Sequence, residues 1–275
     1  MAITGQTFDF GYFSNPPEER MEAIHKAGFQ EVMLWWDDDS SKAEDRFHYE
    51  LNLANKYQLN VNAVHFPRLN IQGIWKDGIA GEEFVKNLNR AIKICGKQGV
   101  ENIVIHTTKK LNTPPPNKVG VENIKKTLQE AEKYSVNIAV ENTRFLTYNL
   151  YLYDRIESKR LTFCFDSGHA NCFTPHEDPL ALFGDRLTVT HLHDNNGFEA
   201  GDEHLLPGEG SIDFVSLFKR LKDLGTERYY LETQCSKELE HTMPMQEYLI
   251  KGCRALDGLL ESAGIIKAQT MKFAL

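Results

Sequence analysis

One feature constrains this chain more than any other: short apolar, β-branched runs alternate with longer stretches of helical periodicity, and the alternation repeats eight times. Candidate strands lie near Phe8–Tyr12, Glu31–Leu34, Val61–His65, Asn102–His106, Asn137–Glu141, Thr162–Asp166, Leu187–His191 and Tyr229–Glu232. Candidate helices fill the gaps. The first starts at Pro16 and stops before Gly28, the asymmetry expected of helix ends. Others are expected near Ala43–Tyr57, Glu82–Lys97, Val119–Tyr134 and Met243–Ser262, with short ones near Tyr148–Ile156 and Glu177–Phe183. After Asp213, the residues Phe214, Leu217, Phe218, Leu221 and Leu224 share one helical face that ends at Gly225. The one dense breaker cluster, Thr113-Pro114-Pro115-Pro116-Asn117, is too short to separate domains. Eight β-α units in 275 residues predict a single α/β domain over 1–275, a (β/α)8 TIM barrel. A doubly wound sheet fits less well, because no G-x-G-x-x-G follows the first strand.

The ends of these runs carry the chemistry. Val61-Asn62-Ala63-Val64 ends at His65, Ile103-Val104-Ile105 at His106, and Ile138-Ala139-Val140 at Glu141. Phe163-Cys164-Phe165 ends at Asp166, Leu187-Thr188-Val189-Thr190 at His191, and Tyr229-Tyr230-Leu231 at Glu232. In a barrel all strand C-termini converge on one face, where active sites sit. Three further candidates lie just beyond: His169, three residues after Asp166, and Asp202 and His204 ahead of Pro207-Gly208-Glu209-Gly210. A lone strand-end carboxylate is usually a helix cap, and a lone histidine a hydrogen-bonded rim residue. Six successive strand ends of this kind are not explained that way. Buried without compensation, the carboxylates would cost several kcal/mol each. A divalent metal is the simplest way to satisfy them together.

Weaker signals surround this set. His193 shares a strand face with His191 by the two-residue period, as a supporting or substrate-contacting group. Trp35-Trp36 either stacks on a substrate ring or caps the barrel, and Lys109, Lys110 and Arg144, which follow ligand-bearing strand ends, either contact a phosphate or are plain loop cations. His25, His48, His176 and His241 lack acidic partners at ligand spacing. Charge and cysteines bound the function from outside. A balance of −8 argues against broad nucleic-acid binding, and five cysteines with no C-x-x-C pair fit a reduced chain. No run reaches the ~18 apolar residues of a membrane span. Met1-Ala2-Ile3-Thr4-Gly5-Gln6 lacks the basic and apolar regions of a signal peptide, so a cytoplasmic protein is expected.

At these residues the chain resembles the xylose isomerase-like TIM-barrel superfamily, which includes sugar isomerases and epimerases, inosose-processing enzymes and deoxyribonuclease IV-type abasic-site (AP) endonucleases. The resemblance rests on Val140-Glu141-Asn142-Thr143, Phe165-Asp166-Ser167-Gly168-His169-Ala170, His191-Leu192-His193-Asp194 and Pro207-Gly208-Glu209-Gly210. It implies that Glu141, Asp166, His191 and Glu232 match the four metal ligands of the epimerase branch. With His65, His106, His169, Asp202 and His204 added, all nine match the trinuclear zinc ligands of the endonuclease branch.

Departures run both ways. Only 25 positions separate Glu141 from Asp166, Arg144-Phe145-Leu146 replaces the endonucleases' glycine-rich loop, and Phe66-Pro67-Arg68 stands where they place duplex-wedging residues. Asn195-Asn196-Gly197 stands where several epimerases carry a substrate-binding arginine, and Asp202-x-His204 is endonuclease-like. One divalent ion on three carboxylates leaves a single negative charge in excess, which suits a polyol. Three zinc ions on four carboxylates leave two positive charges, which suit a phosphodiester.

The reading favoured on this basis is a metal-dependent sugar or sugar-phosphate isomerase or epimerase. In it Glu141 and Glu232 are catalytic and move a proton through an enediolate, while His169 and His193 bind substrate hydroxyls. The alternative is a zinc-dependent AP endonuclease, in which the same glutamates bridge zinc ions and His65 and His106 become essential. The expected partner is a small polyol or sugar phosphate; nucleic acid is disfavoured, and a homo-oligomer is compatible.

Overall fold

Eight parallel strands, β1 (Ile3–Thr7), β2 (Glu31–Trp35), β3 (Ala63–His65), β4 (Asn102–Ile105), β5 (Asn137–Glu141), β6 (Leu161–Asp166), β7 (Leu187–His191) and β8 (Arg228–Leu231), pair in the order β7-β6-β5-β4-β3-β2-β1-β8 in a computed structural model that describes residues 2–11, 14–109, 111–199 and 201–267. The last seam is short. Leu192 N–H donates to the Tyr230 carbonyl at 2.8 Å, and Glu232 N–H donates to the Leu192 carbonyl at 3.0 Å, which nearly closes the sheet into a barrel. The chain is a (β/α)8 TIM barrel. The crossover helices are α1 (Pro17–Ala27), α2 (Ala43–Lys56), α3 (Ile79–Lys97), α4 (Lys118–Tyr134), α5 (Leu146–Tyr153), α6 (Ser167–Phe173), α7 (Pro179–Phe183) and α8 (Phe214–Asp223); α9 (Lys237–Glu240) and α10 (Met245–Ser262) follow β8.

Strand alternation splits the core in two. Outward residues such as Val32, Leu34, Val64, Ile103, Ile105, Ile138, Val140, Phe163 and Phe165 are buried beneath the helices. Inward residues Met33, Ala63, Val104, Ala139, Cys164, Val189 and Tyr230 form a separate apolar layer inside the barrel. Two residues further along each strand the same face is reached again. Those positions are Trp35, His65, His106, Glu141, Asp166, His191 and Glu232. An apolar layer therefore forms the floor of a polar ring, and a strand's period alone puts the ring together.

Strand one departs from expectation. The run Phe8–Tyr12 is not a strand: β1 lies at Ile3–Thr7, Phe8 and Phe10 are buried loop residues, and Tyr12 falls outside the described residues. The reason is packing. Gly5 faces the barrel interior, where a Cβ would lie 2.4 Å from Tyr230 Cδ1, so the neighbouring tyrosine fills the space of a side chain. A strand reading Ile-Thr-Gly-Gln-Thr shows no apolar run, although it pairs with both β2 and β8. Smaller differences occur at helix ends, where α5 and α7 are shorter than expected. Helix α6 was not anticipated. It begins directly at the end of β6, because the Asp166 carboxylate accepts the His169 N–H at 2.6 Å and caps it.

The segment between β7 and α8 is organised by one buried carboxylate. Asp194 accepts N–H groups from Asn195, Gly208, Gly210 and Ile212 at 2.9–3.1 Å. A Cβ on Gly210 would meet Asp194 Oδ1 at 2.5 Å and the Asn195 carbonyl at 2.4 Å, which accounts for the glycine there. The segment thus folds back over the barrel mouth and delivers Asp202 and His204 to it.

Candidate metal centre

All nine predicted ligands meet at the C-terminal mouth. Glu141 is the hub. Its Oε2 lies 3.3 Å from His65 Nε2, 3.1 Å from His106 Nε2 and 3.3 Å from His191 Nδ1, and its Oε1 lies 2.9 Å from His169 Nδ1. His191 Nδ1 is also 2.8 Å from Glu232 Oε2 and 3.9 Å from Asp166 Oδ2. On the far side Asp202 lies 3.4 Å from His169 Nε2 and 3.5 Å from His204 Nε2. The donor atoms of Glu141, Asp166, His191 and Glu232 all lie within 4.8 Å of one another, as do those of His65, Glu141 and His191, and those of His193, His204 and Glu232.

Three of the imidazoles are oriented alike. The Nδ1 of His65 is 2.8 Å from the Phe66 carbonyl, that of His169 is 3.0 Å from the Asn142 carbonyl, and that of His204 is 2.6 Å from the Glu232 carbonyl. A backbone carbonyl can only accept, so each Nδ1 carries the proton and each Nε2 turns its lone pair toward a carboxylate. Lone pair facing lone pair is repulsive unless a cation or proton lies between. Outer-shell carbonyls of this kind are what fix metal-bound histidines. The residues also keep buried polar atoms without a hydrogen bond, namely Glu141 Oε1, His191 Nδ1, His193 Nδ1 and Asp202 Oδ1. A mixed nitrogen and oxygen set suits zinc, manganese or a similar divalent ion. The donor set fits a metal.

Electrostatics agree. Burial opposes ionisation of Glu141, but His106 and His191 outweigh it and hold the carboxyl well below the usual range. Glu232 and Asp202 are depressed in the same manner, against burial, by His191 and by His169 with His204 respectively. Burial likewise opposes charge on His204, yet Asp202 and Glu232 raise it to about 9; against burial, Asp166, Asp202 and Glu141 push His169, and Cys164 with Glu232 and Glu141 push His191, well above the usual histidine range. His65 goes the other way: burial dominates and lowers it. The carboxylates thus demand positive charge, and a metal entering the site would release imidazole protons.

The remaining predicted residues fall on either side of this ring. His193 is fully buried and sits behind it, with Nε2 at 3.1 Å from Asp166 Oδ1 and its ring stacked on His204 at 3.9 Å. Gly168 makes room for it, since a Cβ there would lie 1.9 Å from His193 Cε1. Trp35 stacks on His65 at 4.1 Å and Trp36 is buried against Phe47, and both line the cavity above. That cavity encloses about 740 Å³, and Lys109 and Arg144 line it as well. Lys110 lies outside the described residues. Sequence reasoning missed Phe8, Arg68 and Phe173 among the lining residues. Phe173 had a legible signal: it follows His169 by one helical turn on α6 and stacks on it at 5.2 Å. Asn142 also went unassigned. Its side chain accepts the Asp166 N–H at 2.8 Å and donates to the Asp166 carbonyl at 2.9 Å, locking two ligand strands in register.

Comparisons with known proteins agree with this architecture. A family model described as a xylose isomerase-like TIM barrel matches residues 21–258. An uncharacterized protein of Sinorhizobium fredii is 28% identical over 185 residues, 62% of this chain and 55% of that one. The inosose isomerase of Bacillus licheniformis is 27% identical over 158 residues, 52% of this chain and 56% of the enzyme. Matches of this kind span between about half and two thirds of the curated relatives' length. A solved structure of an L-ribulose 3-epimerase superimposes with a TM-score of 0.74 at 18% identity, covering 98% of this chain and 100% of that one. Among the described residues, no helix is long and apolar enough to cross a membrane.

Proposed function

Because this chain belongs to the xylose isomerase-like TIM-barrel family, we propose that it is a divalent-metal-dependent sugar isomerase or epimerase acting within one domain over 1–275. The observation that carries the reading is the pair of buried glutamates, Glu141 at the end of β5 and Glu232 just beyond β8, joined through His191 at 3.3 and 2.8 Å. Their strands are separated by β6 and β7 around the barrel, and in this reading the two carboxylates act on a bound sugar from different sides. The name of one relative, an inosose isomerase, is in keeping with this reading.

Glu141, Asp166, His191 and Glu232 would hold the ion, which, when bound, supplies Lewis acidity to adjacent sugar oxygens and so acidifies the intervening C–H. Both glutamates are held ionised, as a base must be. One ionised glutamate takes the carbon-bound proton and the electron pair passes into an enediolate; a proton then returns to carbon from that same carboxyl, or from the other glutamate once it has taken a proton from solvent. His169, which lines the cavity, is placed to hydrogen-bond a substrate hydroxyl, and His193 steadies Asp166 from behind. Trp35 shields one side of the cavity from water. Manganese and zinc are the favoured ions, and the cytoplasm is the favoured setting.

The test is carbon-bound exchange. Ketoses incubated in deuterated water with the manganese-loaded protein should acquire deuterium next to the carbonyl, and Glu232→Gln should abolish it. No exchange across a broad ketose panel contradicts the reading. One observation favours a second reading, a zinc phosphodiesterase acting on abasic-site DNA: His65, His106, His169, Asp202 and His204 also converge on the site. Cleavage of an abasic-site duplex by protein carrying about three zinc ions would establish it instead.

A further inference from the structure

Two stacked ladders rise from the metal centre toward solvent. On one side His65 stacks on Trp35 at 4.1 Å, and the Arg68 guanidinium lies over Trp35 at 5.7 Å. On the other side His169 stacks on Phe173 at 5.2 Å, and the Arg144 guanidinium lies over Phe173 at 3.8 Å. Each ladder runs from a ring of the centre to an aromatic side chain and then to an arginine, and both arginines line the same cavity as Lys109.

These three cations differ from the others around the cavity. Arg46 is paired with Asp37 and Glu50 at 2.8 and 2.7 Å, and Arg20 with Asp9 at 3.8 Å. Among the described residues, Arg68, Lys109 and Arg144 make no ion pair within 4 Å. Among the described residues, the one hydrogen bond of Arg144 is a long one of 3.4 Å to the Glu199 carbonyl. The nearby Asp38 carboxylate is turned to the Leu69 N–H at 3.3 Å. A guanidinium held over an aromatic ring keeps N–H donors free for a bidentate anion while losing less freedom on binding.

We propose that Arg68, Lys109 and Arg144 form a subsite for an anionic group at the end of the sugar remote from the reacting carbons. The substrate is then a phosphorylated or carboxylated open-chain sugar rather than a neutral one. The proposal rests on the isomerase reading for the position of the reacting carbons. It adds the substrate's charge and brings in Arg68. The floor of the site carries an excess of carboxylate even with one divalent ion. An anionic terminus is therefore repelled from the floor and drawn to the rim, which fixes the direction in which the chain enters. Arginine forks recognise phosphate and carboxylate by the same bidentate geometry, so the two are separated by experiment.

The experiment compares a 2-ketohexose, its 6-phosphate and the corresponding 6-carboxylate on the metal-loaded protein, by carbon-bound deuterium exchange and by calorimetric binding. Wild type should prefer one of the anionic forms by at least about tenfold in affinity or kcat/KM. Arg68→Gln and Arg144→Gln should each lower that preference by about tenfold, and 0.5 M chloride should compress it in wild type without any substitution. Arg144→Lys should retain part of it. Preference for the 6-phosphate or for the 6-carboxylate tells which group the rim takes. If nothing is turned over but an anionic form binds in an arginine-dependent manner, the subsite stands and the isomerase reading falls. If the neutral ketose is turned over and neither anionic form is preferred, the subsite falls and the isomerase reading stands. A preference that both glutamine variants leave unchanged also overturns the subsite.

Discussion

The two ends of the barrel bury polar groups in opposite styles. At the N-terminal end, the first residues of the strands form a closed relay. Arg160 donates to Asn137, Asn137 to Asn102, Asn102 to Asn62 and Asn62 to Glu101, at 2.8–3.2 Å. Beside it, Tyr230 O–H donates to Glu31, and Arg228 Nε donates to Glu31 at 3.2 Å. None of Glu31, Asn62, Asn102, Asn137, Arg228 and Tyr230 keeps a buried polar atom without a partner. At the C-terminal end Glu141, His191, His193 and Asp202 all do. Both ends cost solvation free energy; the lower one recovers it through completed hydrogen bonds, whereas the upper one leans on carboxylate–imidazole contacts and still keeps polar atoms without a hydrogen bond. The lower end is built for stability, and the upper end is left open for something the chain does not itself contain.

That contrast predicts opposite consequences for similar substitutions. Glu232→Gln at the mouth should lower turnover by about a thousandfold, within the range for a lost acid-base group, and lower the melting temperature of the metal-free protein only by the loss of its His191 pairing, less than the change at the base. Glu31→Gln at the other end should do the reverse. It should destabilise by about 2 kcal/mol through the disrupted Tyr230 and Arg228 contacts, while retaining kcat in the protein that remains folded. Paired denaturant titrations and exchange rates check both. A loss of stability at the mouth equal to that at the base would erase the distinction.

Metal removal sharpens it further. Chelation should destabilise the protein, and excess manganese should restore up to about 4 kcal/mol at a thousandfold excess over Kd. With Asp166→Asn the restoration should shrink, whereas with Asn102→Ala at the base it should persist. Differential scanning measurements at graded metal concentration read this directly.

The smallest expected effect concerns alkali. Burial, together with the Glu31 carboxylate, raises the Tyr230 phenol well above its ordinary value. The folded state therefore keeps its proton when an unfolded tyrosine, with a pKa near ~10, releases it. Stability from this group is fully present below about pH 10 and is lost as pH rises above it. Tyr230→Phe should cost about 1–2 kcal/mol at pH 7, and the gap to wild type should narrow between about pH 10 and 11 in urea titrations. A constant gap would place the phenol's titration outside the folding equilibrium.

Much of this was legible in sequence because a strand's period does the placing. His65, His106, Glu141, Asp166, His191 and Glu232 each lie two residues beyond an inward apolar side chain, so reading the ends of apolar runs amounts to reading the barrel's mouth. Strand β1 was not legible, because Gly5 gives up its inward position to Tyr230 and the neighbouring Phe8 and Phe10 look more strand-like. Asp202 and His204 were found as residues, but their route to the site was not. It depends on four N–H groups converging on Asp194, a tertiary arrangement with no local signal beyond Pro207-Gly208-Glu209-Gly210. Arg68 was passed over for a similar reason: its position over Trp35 joins two different strand ends.

The central claim is that the unpaired polar groups at the mouth hold a divalent cation. Calorimetric titration of chelator-treated protein with manganese tests it most directly. The account predicts saturable uptake of at least one ion per chain with release of protons, abolished by Glu141→Gln and unaffected by Glu31→Gln. Absence of uptake, or uptake that survives loss of Glu141, would contradict it.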